Sequence, residues 1–402
     1  MPKKPARKKI VLNLDLNARA AGFDSADRPT EAHHRIAKNY SSPLLLGPPR
    51  TELLLEMVMH MFSEEDAELV QYLKPMRPKT AQQVAIKAGR LTTEVEKVLD
   101  HLALKKMVIL AYGKQRKYTI LPIVPGTFEM ALMTPDLSTR NVWHKKFAEL
   151  FEQLWESGFL TDYPGKHTTA PVRYLPVGAA SDTLYSALPS EKMGEVIESF
   201  HTFAVGNCQC RLAMTLVDKG CGRPMENCMA FGGAAKTVIS RGMMREISRD
   251  EAIAIKKNAE EEGMVNFMMN SVMASKVGNA SCSCCGCCCH ALRAIKDFNA
   301  PGIMTKPRFM PVYDAEKCKP CKKCIKICPM DAWTWVDETL VFNKARCIGC
   351  GLCVTVCKTG ALSLEEVEKA PHNVDSKWGF IQEALPDYIA TSFRVWAKRF
   401  LA

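Results

Sequence analysis

Eight cysteines between residues 318 and 357 constrain this chain more than any other feature. Cys318, Cys321, Cys324 and Cys328 are spaced two, two and three residues apart, and Cys347, Cys350, Cys353 and Cys357 repeat the spacing. Pro329 follows the first run. The repeat extends past the cysteines: Cys328-Pro-Met-Asp-Ala-Trp-Thr-Trp335 aligns with Cys357-Lys-Thr-Gly-Ala-Leu-Ser-Leu364. Two copies of one loop–helix–strand unit imply a pseudo-twofold fold. Three thiols at this spacing wrap a short loop around three corners of a polynuclear metal centre, with backbone N–H groups turned towards it, and the fourth corner comes from elsewhere. Zinc is satisfied by paired C-x2-C knuckles, and a disulfide framework suits a small secreted domain. Two consecutive triplets exceed both needs.

Residues 311–366 resemble the bacterial-type dicluster, 2[4Fe-4S], ferredoxin domain, whose signature is C-x2-C-x2-C-x3-C-P. The resemblance implies that the last cysteine of each run ligates the opposite cluster. Cluster I then takes Cys318, Cys321, Cys324 and Cys357, and cluster II takes Cys347, Cys350, Cys353 and Cys328. Lys358 stands where the family has a second proline, which loosens that corner without removing a ligand.

The chain has 402 residues, room for two to four domains. It lacks a run of about 18 apolar residues, so no membrane-spanning helix is expected. The basic start, Met1 to Ile10, runs into a stretch broken by Asn13 and Asp15, unlike a secretory segment. A cytoplasmic protein is the expectation. All 18 cysteines lie between 208 and 357, and in a reducing compartment such crowding means metal. The formal charge is +11. Each oxidised [4Fe-4S] with its thiolates carries about −2, so four would leave roughly +3. The charge therefore says little for nucleic acid.

The expected fold class is α+β, mostly helical. Residues 1–50 read as a tail, 51–123 as a winged-helix-like domain, 124–200 as a connecting helical segment and 201–310 as a Cys-rich, helical iron–sulfur domain. The ferredoxin domain occupies 311–366, and 367–402 an amphipathic helix. Within 51–123, Ser63 with Asp66 caps one helix, Thr80 starts another ending at Gly89, and Thr93 to Glu96 forms a capping box for a third. Strands over Met107–Tyr112 and Lys117–Leu121 flank a wing at 113–116. The third helix exposes Glu94, Lys97, Asp100 and His101, and carboxylates facing phosphate are repelled. That argues against DNA without excluding it, and favours a scaffold or docking module. In the last helix, Tyr388, Ile389, Phe393, Trp396 and Phe400 mark an apolar face.

Ten further cysteines fall in two groups. Cys208, Cys210, Cys221 and Cys228 are read as a third cluster, with zinc as the alternative. In Cys282-Ser-Cys284-Cys285-Gly-Cys287-Cys288-Cys289, the set Cys282, Cys285, Cys288 and Cys289 offers a fourth, with Cys284 and Cys287 as alternative ligands. One unusual cluster, or exchange of ligands between the two groups, stays open. This pair of motifs resembles the cysteine-rich region of winged-helix iron–sulfur proteins that end in a ferredoxin domain.

The expected function is electron transfer, as a relay subunit or partner of an oxidoreductase. Lys317, Lys319, Lys322, Lys323 and Lys326 flank cluster I and would steer an acidic redox partner onto it. The alternatives are a redox-sensing transcription regulator and a reductase whose irregular cluster at 282–289 binds substrate. Gly232-Gly233 and Gly349-x-Gly351 lack a strand–turn–helix context, so no flavin or nucleotide is expected.

Overall fold

Reciprocal side-chain caps start several of the N-terminal helices. The computed structural model describes residues 10–12, 14, 21–75, 77–163, 172–181, 184, 192–269, 279–300, 304, 306–369 and 377–401. The chain divides into two compact units, one formed by 9–163, 212–220 and 388–402, the other by 164–211 and 221–387 with 1–8.

The first unit opens with α1 (Glu31–Tyr40), α2 (Glu52–Met61) and α3 (Glu64–Val70). The Ser63 hydroxyl accepts from the Asp66 N–H at 3.1 Å, and the Asp66 carboxylate accepts from the Ser63 N–H at 3.0 Å. After β1 (Lys79–Thr80), Thr80 and Gln83 make the same exchange at the start of α4 (Ala81–Ala88). Gly89, at φ 66, ends that helix in a conformation that suits glycine. The box expected at Thr93 does not form. Leu91 is the N-cap of α5 (Thr92–Leu104) and makes no side-chain capping bond, because the short Gly89–Leu91 link starts the helix early and leaves Thr93 inside its first turn.

Strands β2 (Leu110–Tyr112) and β3 (Lys117–Thr119) join β1 in an antiparallel sheet of order β1-β3-β2. Helix α1 lies within the stretch expected to be a tail. Its buried face includes Ile36, Ala37 and Tyr40, but also His33, whose ring meets Phe62 O at 3.0 Å and Thr30 Oγ1 at 2.8 Å. A satisfied polar residue on the inner face hid the periodicity.

Helices α6 (Phe128–Leu132) and α7 (Val142–Glu156) complete an aromatic core around Trp143, Phe147 and Phe151. Trp143 donates to His60 O at 3.0 Å, and the His60 ring stacks on the indole at 4.9 Å. Burial lowers His60 to about 4, and burial with the Arg140 charge lowers His144 to about 2. Both folded values lie below the ordinary 6.5, so on acidification the unfolded chain binds protons first and stability falls with pH. By pH 5 each histidine should cost up to about 2 kcal/mol. Melting followed between pH 7 and pH 5 should show this unit losing stability, with a shallower slope in His60→Gln.

The second unit departs from the expected helical middle. Its strands are β4 (Val172–Leu175), β5 (Phe203–Asn207), β6 (Glu226–Phe231), β7 (Arg245–Ile247), β8 (Val265–Met269) and β9 (Asn279–Cys284). They form one six-stranded sheet of order β4-β8-β9-β6-β5-β7, with every neighbouring pair antiparallel. Helices α8 (Gly178–Ser181), α9 (Met193–Glu198), α10 (Gln209–Leu216), α11 (Gly232–Ser240) and α12 (Arg249–Glu261) fall between its strands in sequence, α11 and α12 packing on it, and α13 (His290–Phe298) follows β9. β5 is buried at every position and β6 at all but its first, so neither shows the polar–apolar alternation by which a strand is read.

The dicluster lobe follows: β10 (Phe309–Tyr313), α14 (Lys323–Ile327), β11 (Trp333–Val336), then β12 (Thr339–Phe342), α15 (Leu352–Thr355), β13 (Leu362–Glu366). The second half repeats the first at the same offset as the cysteines. β10 pairs with β13 and β11 with β12, so each ladder takes one strand from each half. Trp333 and Leu362, equivalent in the repeat, meet in one apolar cluster with Leu340, and Trp333 stacks on Phe342 at 4.4 Å.

Helix α16 (Lys377–Leu401) closes the chain. Of its expected apolar face, Ile389, Phe393 and Trp396 are exposed, while Thr391 and Val395 are buried. The side chains of Tyr388 and Phe400 lie outside those described. Among the described residues no helix is long and apolar enough to cross a membrane.

Candidate metal centres

The fourth cysteine of each run sits between a helix and a strand, where the swapped ladders bring it to the opposite half. Cys318, Cys321 and Cys324 line a cavity of about 360 Å³ together with Cys357. Cys347, Cys350 and Cys353 line a smaller one together with Cys328. No three of these thiols fall within 4.8 Å of one another; they ring a space, which suits a polynuclear group better than a single ion. Backbone N–H groups point at sulfur: Ala332 donates to Cys328 and Gly349 to Cys347, each at 3.4 Å. The residues present therefore fit a pair of [4Fe-4S] groups.

The two surroundings differ. Around the first set, Lys317, Lys319, Lys322, Lys323 and Lys326 are all exposed, as is Cys321. Lys322 Nζ lies 5.1 Å from the Trp335 ring, and Lys317 pairs with Asp314 at 2.8 Å. In the second set Cys350 and Cys353 are buried. Burial pushes Cys347 up to about 11, Cys353 up to about 12 and Cys350 further, the mark of a low-dielectric seat.

The other ten thiols are grouped differently from either sequence-derived set. Cys221 stands with Cys285, Cys287 and Cys288, all four sulfurs within 4.8 Å. Cys208 and Cys210 lie within hydrogen-bond reach of each other, and Cys210 and Cys284 both reach Cys289. Cys228 and Cys282 are register partners on β6 and β9, with sulfurs 3.8 Å apart.

Local structure explains the regrouping. Cys282 and Cys284 share a face of β9 because side chains alternate along a strand. After Cys284 the chain turns, sending Cys285, Cys287 and Cys288 towards Cys221. Cys289, the N-cap of α13, returns to the first face. Hydrogen bonds from Cys210 and Cys284 hold its thiol well below the usual range.

Buried cations that the spacing of the cysteines does not announce surround these groups. Arg211, 1% exposed, donates to Ser283 O at 3.1 Å and to Cys285 Sγ at 3.8 Å. Lys256 donates to Ser281 Oγ at 2.8 Å and Cys282 O at 3.1 Å, and burial brings it down to about 8. The Tyr174 hydroxyl lies 3.7 Å from Cys289 Sγ. Only Arg211 had a signal in the sequence, its place directly after Cys210.

The dicluster lobe and this thiol-rich sheet share one core. Cys350, Ile348 and Leu352 pack in the same apolar cluster as Cys284, Cys289, Leu292 and Val265, with Cys328 and Cys347 at its edge. Gly286 lies against Pro329 so closely that a Cβ there would stand 1.7 Å from the proline carbonyl oxygen.

Comparison with known proteins points to the same segment of the chain. Residues 310–358 match the 4Fe-4S dicluster domain family. An uncharacterized ferredoxin of Methanocaldococcus jannaschii is 32% identical over 91 residues, 22% of this chain and 52% of that protein. Hydrogenase-4 component A of Escherichia coli is 26% identical over 98 residues, 24% of this chain and 48% of its own length. A ferredoxin of Rickettsia felis is 34% identical over 84 residues, 18% of this chain and 77% of its own. The chain thus spans about half the length of the first two relatives. No solved structure matches it.

Proposed function

The chain belongs to the ferredoxins through its 4Fe-4S dicluster domain, and from that premise we propose that it is a multi-cluster electron carrier serving an oxidoreductase. When bound, each [4Fe-4S] group supplies a site for one electron. One observation carries the reading: Cys350 of the buried ferredoxin set lies in a single apolar core with Cys284 and Cys289, and Cys328 and Cys347 pack against it. From outside inwards the chain presents a lysine-ringed set, a buried set sharing the Trp333 cluster with it, and the thiols of the sheet. The apolar wall of Ile348, Leu352 and Trp333 keeps water from the second set. The relative named as a hydrogenase component supports an oxidoreductase as partner.

The exposed lysines would dock that partner, and a carrier that meets it by diffusion gains rate from opposite charge. Reversing Lys319, Lys322 and Lys323 to glutamate should slow reduction by an acidic donor at least tenfold at low salt and flatten its salt dependence. Stopped-flow rates against ionic strength test this; rates indifferent to both salt and charge reversal would end the docking reading.

Helices α3 to α5 and the sheet β1-β3-β2 are read here as a winged helix used for scaffolding. Arg116 of the wing is paired with Asp100, which also accepts from the Tyr118 hydroxyl at 2.8 Å, and Arg90 pairs with Glu94 at 3.6 Å. Cations engaged with carboxylates on the helix that would face DNA weigh against a DNA reader.

A further inference from the structure

Two size classes of thiol site coexist in this chain. The ferredoxin sets ring cavities, but Cys221, Cys285, Cys287 and Cys288 draw their four sulfurs within 4.8 Å. Among the described residues no other set of three or more such ligands comes so close. Cys221 and Cys285 stand 3.9 Å apart, and Cys287 and Cys288 3.8 Å. A tetrahedral ion with metal–sulfur bonds of about 2.3 Å has sulfur–sulfur edges of about 3.8 Å. We propose that these four cysteines hold one mononuclear tetrahedral metal ion of the zinc class, not a [4Fe-4S] group.

Charge supports the assignment. Four thiolates around a dication carry −2. Two guanidinium groups answer it: Arg211 Nη1 lies 3.8 Å from Cys285 Sγ, and Arg223 Nη1 lies 3.4 Å from Cys287 Sγ. Both are anchored on the backbone, Arg211 to Ser283 O and Arg223 to Glu262 O at 3.2 Å. Fixed outer-shell donors of this kind orient and neutralise a thiolate site.

Position gives the ion a role. The ligands come from two distant segments, the turn at Cys221 and the turn from Cys285 to Cys288. Gly286, inside the second turn, bears directly on Pro329 of the dicluster lobe. The ion clips the two turns together and holds the surface on which the Cys328–Pro329 corner rests. With Cys221, Cys285, Cys287 and Cys288 so engaged, Cys208, Cys210, Cys284 and Cys289 remain as one set for a third cluster, with Cys228 and Cys282 beside it.

The test is zinc, iron and acid-labile sulfide per chain in anaerobically purified full-length protein. The wild type should carry one zinc, or one iron in excess of sulfide, beside its clusters. Cys221→Ser and Cys287→Ser, from opposite turns, should each lose that ion with iron–sulfide pairs unchanged. Protein grown on cobalt should show the visible bands of a tetrahedral cobalt–thiolate site, absent from both variants. Wild type holding no metal beyond matched iron and sulfide would overturn the assignment whether or not the variants fold. So would a variant that loses about four irons together with four sulfides while keeping its zinc, or its iron in excess of sulfide.

Discussion

Replacing Cys328 with serine is expected to strip about four irons and four sulfides from each chain and to lower thermal stability more than Cys357→Ser does. Each variant should lose one cluster, but from opposite halves. Cys328 shares a cavity with Cys347, Cys350 and Cys353, and Cys357 shares one with Cys318, Cys321 and Cys324. The stability difference follows from burial. Cys350 is 9% exposed and belongs to the core that joins the lobe to the sheet, so losing the group it holds leaves apolar walls around a void. The other set faces its lysines and solvent. Because metal binding is coupled to folding, loss of a buried site should cost several kcal/mol. Iron and sulfide analysis, EPR of the reduced protein and melting curves of both variants provide the check. If Cys328→Ser spares the buried cluster and removes the exposed one, the crossed ligation fails.

The second large effect is expected at Gly286. A side chain there would meet Pro329 backbone at 1.7 Å, and neither partner is the flexible end of a side chain. Gly286→Val must part the two loops, at a cost of about 3 kcal/mol, and should expose Cys284, Cys289 and Cys350 to alkylation. Gly194→Ala is the control. It lies in a helix with nothing within 4 Å of a new Cβ, so it should be neutral or slightly stabilising. Equal melting temperatures and equal alkylation in the two variants would show that the loops do not depend on this contact.

The ferredoxin lobe was readable because its chemistry forces its spacing. Three thiols two residues apart have little purpose except to wrap a cluster, and the 29-residue repeat shows again in the swapped ladders. Even there one turn was hidden. Asp337 and Glu338, at φ 44 and 58, form the two-residue link between β11 and β12 without the Asn-Gly or Asp-Gly that usually signals it.

The cysteine-rich middle was read as helical because β5 and β6 are buried almost throughout, and a strand wrapped on both faces loses its alternation. The ligand sets there depend on where β9 ends. One peptide beyond Cys284 decides whether a thiol faces Cys289 or Cys221, and no spacing rule carries that information. For α16 the spacing of Ile389, Phe393 and Trp396 marks an apolar face but does not say which way it turns. Periodicity shows that a helix has a greasy side, but tertiary context turned Ile389, Phe393 and Trp396 outwards and placed Thr391 and Val395 inside.

The seat of Cys350 also bears on how firmly its cavity keeps what it binds. Its carbonyl accepts from the Val177 N–H at 2.9 Å, and Gly351 beside it lies too close to Ala180 for any Cβ of its own. That corner is thus held from the sheet side by a backbone hydrogen bond and by close packing at Ala180. A group held behind such a corner is expected to exchange more slowly than one seated among exposed lysines, which timed loss of iron to a chelator would read.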